Sequence, residues 1–249
     1  MKVRVRTAEQ PLRRLLVPAA ALSLSAAFVV GTAAVNAQDD SIDGTWTVDT
    51  SIGDISEGSS TFVGFRVDEV LDPGGNVTAV GRTPSVDGQL DVAGTVIESF
   101  SIEADLTGLS TDNAFRNGAI QRSLGTDQYP SATFVSTEPV DLGQIPPEGE
   151  VFQASVPGTL TIKDVSRDIV VDLEAGRGGE NVVVIGTWPI VFDDFGIDLP
   201  SAPIVVSIEE DGLLEWQIFV TRTGDSADDM SDDEMAEDEE MDEDEASEE

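Results

Sequence analysis

Alternation of apolar and polar side chains runs through most of the chain between residues 45 and 222. It is clearest after Ser99, where Phe100, Ile102, Ala104 and Leu106 are separated by single polar residues. A period of two is typical of a β-strand with one buried face and one solvent-exposed face. Because no strand-like segment alternates with a helical repeat, a parallel α/β fold is disfavoured.

Ten segments share this alternation or an enrichment in β-branched residues, and glycine or proline turns separate them. They are 45–49, 60–67, 76–82, 85–92, 96–106, 132–140, 151–162, 166–174, 181–191 and 204–222. Short helical turns are predicted at 114–124 and in the wide gap at 193–203. So many antiparallel strands in about 185 residues predict an all-β barrel or sandwich.

The first 37 residues have the layout of a secretory signal peptide. Five basic residues precede an apolar stretch, and Val35-Asn36-Ala37 forms a small-residue cleavage pattern. The apolar residues 15–35 are also close to the roughly 20 needed to cross a bilayer, so an uncleaved membrane anchor stays open. Either interpretation places the protein outside the cytoplasmic membrane, as a secreted or cell-envelope protein.

Residues 223–249 are dominated by 16 carboxylates, with no basic residue. This composition buries too little apolar surface to offset the entropy of ordering, so a disordered acidic tail is predicted. A solubilising extension is favoured over a specific calcium site, because calcium loops need a glycine turn and none follows Gly224. The folded domain is therefore expected at 38–222.

Charge and composition exclude several classes of partner and of catalytic chemistry. The whole chain carries a formal net charge of −36, which disfavours nucleic acid as a partner. Histidine and cysteine are absent from the sequence, which excludes histidine acid–base chemistry, cysteine nucleophiles and the common zinc ligands. Carboxylates are abundant but spread over the chain, so no enzyme, cofactor or metal site is predicted.

Several short motifs resemble the YceI family, a lipid- or polyisoprenoid-binding domain of bacterial envelopes. Each motif is short, but together they follow the family's order along the chain. They are Trp46-Thr47-Val48-Asp49, the strand at 60–67, Val86-Asp87-Gly88, Leu109 to Asn113 with Arg116 and Asn117, Tyr129 to Phe134, Gly158 to Lys163, and Asp194 to Ile197.

The chain also departs from the family pattern at polar positions. Asp68-Glu69 stand where the first phenylalanine-containing strand of the family commonly ends in a histidine. Asn117 replaces the usual aspartate after the loop arginine, and Asp164 replaces a glycine. Gly125-Thr126 replace a phenylalanine pair. The alternation that predicts the barrel does not depend on these positions.

The resemblance implies an antiparallel, eight-stranded, lipocalin-like β-barrel with a short helical excursion between strands. A barrel of this size is about wide enough to be filled by side chains or to hold one small ligand. The implied ligand is an extended apolar lipid of the polyisoprenoid or acyl-chain type. The alternative is a structural or adhesion-type envelope domain with a solid core, and two copies of either could pair as a homodimer.

Candidate ligand-lining residues are the aromatic and aliphatic side chains in the inward phase of the strands and in the loops between them. They are Phe62, Phe65, Phe100, Ile102, Phe115, Leu124, Phe134, Leu160, Trp188 and Phe195. Arg116 and Arg122 lie in the segment between two strands, where they could meet a ligand headgroup or pair with one of the many carboxylates.

Overall fold

Residues 41–223 are described in the computed structural model, and they hold twelve β-strands, one α-helix and two 3-10 turns. The strands are β1 (Gly44–Val48), β2 (Phe62–Leu71), β3 (Gly75–Thr83), β4 (Val86–Ala93), β5 (Val96–Asp105), β6 (Ser131–Ser136), β7 (Val140–Asp141), β8 (Val151–Ile162), β9 (Val165–Gly178), β10 (Asn181–Val191), β11 (Val205–Ile208) and β12 (Asp211–Arg222). Helix α1 is Ala114–Leu124, and the 3-10 turns are Ile55–Glu57 and Phe192–Phe195.

The two predicted terminal segments fall largely outside these residues. The signal peptide or anchor predicted at 1–37 lies before them, and the acidic tail lies beyond Thr223. Within 41–223, no helix is both long and apolar enough to span a membrane.

Eight strands close into an antiparallel barrel, which confirms the predicted fold. The ring runs β1, β4, β5, β6, β8, β9, β10 and β12, and β12 pairs with β1 to complete it. The segment predicted as one strand at 132–140 is broken after Ser136, where Pro139 lacks the N–H that a strand donates. The segment at 204–222 is likewise divided into β11 and β12.

Strand β12 changes partner halfway along one edge. Its residues Leu213 to Gln217 pair with β2, whereas Val220 to Arg222 pair with β1. Its other edge pairs with β10 from Asp211 to Thr221. The hairpin of β2 and β3 therefore separates from β1 and extends the barrel wall at one end. This extension, formed by β2 and β3, is called here the flap.

Thr61 lies at the point where β1 and β2 separate, called here the fork, and it is buried with 1% exposure. Its hydroxyl donates to the Asp49 carbonyl at 2.9 Å and accepts from the Phe219 amide at 3.1 Å. The Asp49 amide in turn donates to the Phe219 carbonyl. One hydroxyl thus satisfies backbone groups of two strands that the change of partner would leave unpaired.

Helix α1 closes the same end of the barrel. Asn113 caps its first turn, with Oδ1 accepting from the amides of Phe115 and Arg116, and Gly125 ends it in a left-handed conformation with φ 65°. The loop before the helix is held by Asn117, whose Oδ1 accepts from the amide and hydroxyl of Thr111.

Carboxylates on the barrel's outer face are held by hydroxyl groups of the neighbouring strand. Three directly opposed pairs show this arrangement, with hydroxyl–carboxylate distances between 2.5 and 2.8 Å: Thr45 with Asp91, Thr159 with Asp168, and Ser155 with Asp172. Hydroxyls replace the basic partners that this acidic chain largely lacks. Such cross-strand pairs contribute roughly 0.2–1 kcal/mol each.

Replacing Thr61 with valine should destabilise the domain by about 1–3 kcal/mol, because the isosteric side chain leaves buried backbone groups without partners. Chemical denaturation would measure the loss. Thr47→Val is the matched control, since Thr47 is exposed on β1. Equal stabilities of the two variants would contradict the role of Thr61 at the fork.

Asp91 should titrate below its usual pKa of 3.8. Hydrogen bonds from the Thr45 and Ser99 hydroxyls, and then from the Gln89 amide, lower its pKa by stabilising the carboxylate. Because the folded pKa lies below the unfolded one, the stabilisation is complete above about pH 4 and is lost as pH falls through the folded pKa.

Carbon-13 NMR titration of the carboxyl groups would measure this shift. Thr45→Val should raise the pKa of Asp91 and leave that of Asp105 low, since the hydroxyl and amide of Thr107 lower the latter. An Asp91 pKa at or above 3.8 in the unmodified protein would contradict the expectation.

Candidate functional site

The barrel encloses an apolar cavity, called here the inner cavity, of about 90 Å³. Side chains from the inward faces of six ring strands and of β2 line it. Phe100 and Phe134 lie on neighbouring strands with ring centroids 6.0 Å apart, and Trp188 and Trp216 line the cavity from β10 and β12. The lining is almost entirely carbon, so water gains few hydrogen bonds there.

A second space, called here the mouth cavity, has a volume of about 160 Å³. It lies where the β2–β3 flap, helix α1 and the segment after β10 meet. Ile120 and Leu124 line it from the helix, and Phe65 lines it from β2. Its three polar or charged lining side chains are Glu69, Arg116 and Ser123.

The two cavities adjoin. Val63, Ala132, Leu160 and Leu214 line both of them, so these four side chains surround the junction. Well-packed protein interiors have few voids larger than a water molecule. The barrel therefore holds two adjoining apolar cavities, one in its interior and one at its helical end.

Glycines in the wall leave room for the aromatic rings that line these cavities. A Cβ atom at Gly81 would lie 2.4 Å from the Phe65 ring on the opposing strand, and one at Gly158 would lie 2.3 Å from the Phe134 ring. Gly186 faces Trp216 in the same way, with 2.5 Å between the added Cβ and the indole. The rings therefore lie against the wall and not across the barrel axis.

Seven of the predicted lining residues are brought together around the two cavities. Phe100, Ile102, Phe134, Leu160 and Trp188 line the inner cavity, and Phe65, Leu124 and again Leu160 line the mouth cavity. Phe195 does not line either cavity. It is buried at 1% exposure behind the lining and packs its ring edge-on against Trp188, with centroids 6.4 Å apart.

Two predicted lining residues lie elsewhere. Phe62 belongs to the outward phase of β2, where the guanidinium of Arg82 lies 4.1 Å from its ring centroid. Phe115 is 93% exposed. The residues of α1 that line the mouth cavity are Arg116, Ile120, Ser123 and Leu124, which share one side of the helix. Phe115 lies about 140° around the helix from Ile120 and therefore on the other side. Neither residue lines the inner cavity or the mouth cavity, contrary to the expectation from the sequence.

The two predicted headgroup residues differ in position. Arg122 is exposed and lines neither cavity. Arg116 lines the mouth cavity, but its guanidinium is already paired twice. Nη2 lies 2.6 Å from Oε1 of Glu69, and Nη1 lies 2.5 Å from Oδ1 of Asp112. The Glu69 side chain is only 6% exposed, whereas that of Asp112 is 85% exposed.

Several lining residues were not predicted, although the alternation along their strands would have identified them. Leu214, Trp216 and Ile218 share one phase of β12 and all line the inner cavity. Glu69 shares the inward phase of β2 with Val63 and Phe65. A carboxylate on the inward face of an apolar strand predicts a buried partner of opposite charge, because an unpaired buried charge is costly.

Within the described part of the chain, no group of three or more acidic side chains is arranged to hold a metal ion. The chemistry available at the two cavities is therefore apolar contact along most of their surface, with one ion-pair network at the mouth.

Several solved structures resemble this fold, and two of them have TM-scores above 0.5. One is a polyisoprenoid-binding domain from Saccharophagus degradans implicated in plant cell wall breakdown, with a TM-score of 0.55 at 18% identity, covering 72% of this chain and 98% of that one. The other is BcnA of Burkholderia cenocepacia, with a TM-score of 0.52 at 18% identity, covering 68% and 99%.

No curated protein sequence matches the chain. The family model of the YceI-like domain, however, matches residues 46–219, which are most of the chain and nearly the whole barrel. This chain belongs to the YceI-like domain family.

Proposed function

We propose that this protein is an exported carrier that holds an extended apolar lipid, of polyisoprenoid or acyl-chain type, inside its barrel. The observation that carries the proposal is the pair of adjoining apolar cavities, which share four lining residues and extend from the barrel interior to its helical end. Each methylene group that a lipid buries there contributes about 0.8 kcal/mol, so a long chain needs few polar contacts.

Two further observations support the proposal. The S. degradans domain that shares this fold is described as polyisoprenoid-binding. The layout of residues 1–37 supports export. Binding is favoured over catalysis because the lining side chains offer almost no group that could move a proton or attack a substrate.

Native mass spectrometry of protein purified from its own host should find a bound lipid. Protein stripped of lipid should then take up geranylgeraniol, an uncharged C20 isoprenoid, as a probe. Repeated absence of bound lipid together with no uptake of the probe would contradict the proposed function.

Ala132→Phe should abolish this uptake while the barrel stays folded. Ala132 lines both cavities, so a phenyl ring there fills the junction between them. Val135→Phe is the matched control, since Val135 lies on the same strand with 49% exposure and its ring would point outward. Circular dichroism and melting temperature check the folding. A folded Ala132→Phe protein with unchanged uptake would place the lipid elsewhere.

A further inference from the structure

The ion-pair network at the mouth cavity carries more negative than positive charge. Among residues 41–223, Arg116 is the one cationic side chain that lines either cavity. It is shared between Glu69 and Asp112, so the three groups together carry a net charge of −1 at neutral pH. An anionic ligand group would therefore find no unpaired cation in this network.

The surroundings of Glu69 strengthen the same bias. Asp68, Glu69 and Glu209 also line a polar depression of about 430 Å³ beside the mouth cavity. None of the seven residues that line this depression is basic. A phosphate or carboxylate brought to the mouth would meet the buried Glu69 directly, where charge repulsion is screened less than in water, and would lie near the exposed Asp68 and Glu209.

An uncharged hydroxyl meets a different situation. Among the described residues only Arg116 donates a hydrogen bond to the Glu69 side chain, and it does so to Oε1. A carboxylate has about four lone-pair sites, so Glu69 retains acceptor capacity at the wall of the cavity. A hydroxyl at the end of a lipid chain can donate to Oε2 without breaking the ion pair.

We propose that Glu69, by neutralising Arg116 at the mouth, makes this site select lipids with an uncharged hydroxyl headgroup over the same lipids bearing phosphate or carboxylate. The inference rests on the lipid-carrier function proposed above and adds the headgroup class to it.

The test compares geranylgeraniol with geranylgeranyl phosphate, which share one chain and differ in the headgroup. Binding to the full-length, lipid-stripped protein is followed by tryptophan fluorescence, because Trp188 and Trp216 line the inner cavity. The alcohol should bind at least about tenfold more tightly than the phosphate. Equal or tighter binding of the phosphate would overturn the inference and leave the carrier function standing, whereas binding of neither lipid would overturn both.

Glu69→Gln tests the residue itself. With the carboxylate removed, Arg116 becomes available to the phosphate, and the preference for the alcohol should fall severalfold. Asp87→Asn is the control, because it makes the same change in net charge at an exposed position on β4 and should leave the preference unchanged. An unchanged preference in folded Glu69→Gln would overturn the role of Glu69. If that variant does not fold, the comparison of the two lipids in the unmodified protein decides the proposal.

Discussion

The divided edge of β12 closes the barrel at one end of the strand and opens its wall at the other. A ring of eight strands is complete when β12 reaches β1, and closure removes the exposed edges that an open sheet would have. Because the other half of the same edge is given to β2, the wall opens into a flap at one end. The mouth cavity exists because helix α1 and the segment after β10 cover that flap incompletely.

The polar groups of the domain follow two different rules. On the outer face, carboxylates accept hydrogen bonds from threonine and serine hydroxyls of adjacent strands, which suits a chain with 49 acidic and 13 basic residues. At the mouth, one arginine is held by two carboxylates, and Glu69 is nearly buried. The scarce arginines are therefore placed where an unpaired buried carboxylate would cost most, at Glu69 and also at Glu215, which Arg66 and Arg82 hold.

The strands, the barrel and the helix at 114–124 could be predicted from the sequence because each depends on local periodicity and turn residues. The alternation in β5 and β6 also places Phe100, Ile102 and Phe134 on the inward face, and all three line the inner cavity. Phe62 was expected to face inward because it is a large apolar residue in a strand. Alternation separates the two faces of a strand, but it does not show that a side chain on the outer face is covered, as Arg82 covers Phe62 here. The pairing of Glu69 with Arg116 joins residues 47 positions apart, and such a contact follows only from the folded topology.

The glycines opposite Phe65, Phe134 and Trp216 have a consequence for the space inside the barrel. These glycines do not fill the interior of the barrel, yet they affect its width, because the absence of a Cβ atom lets the neighbouring ring lie flat against the wall. At Gly81 the three atoms nearest to an added Cβ, all within 3.4 Å, belong to the Phe65 ring, so the ring would have to move to admit a single methyl group. The space inside this barrel therefore depends on the absence of side chains at wall positions as much as on the residues that line it.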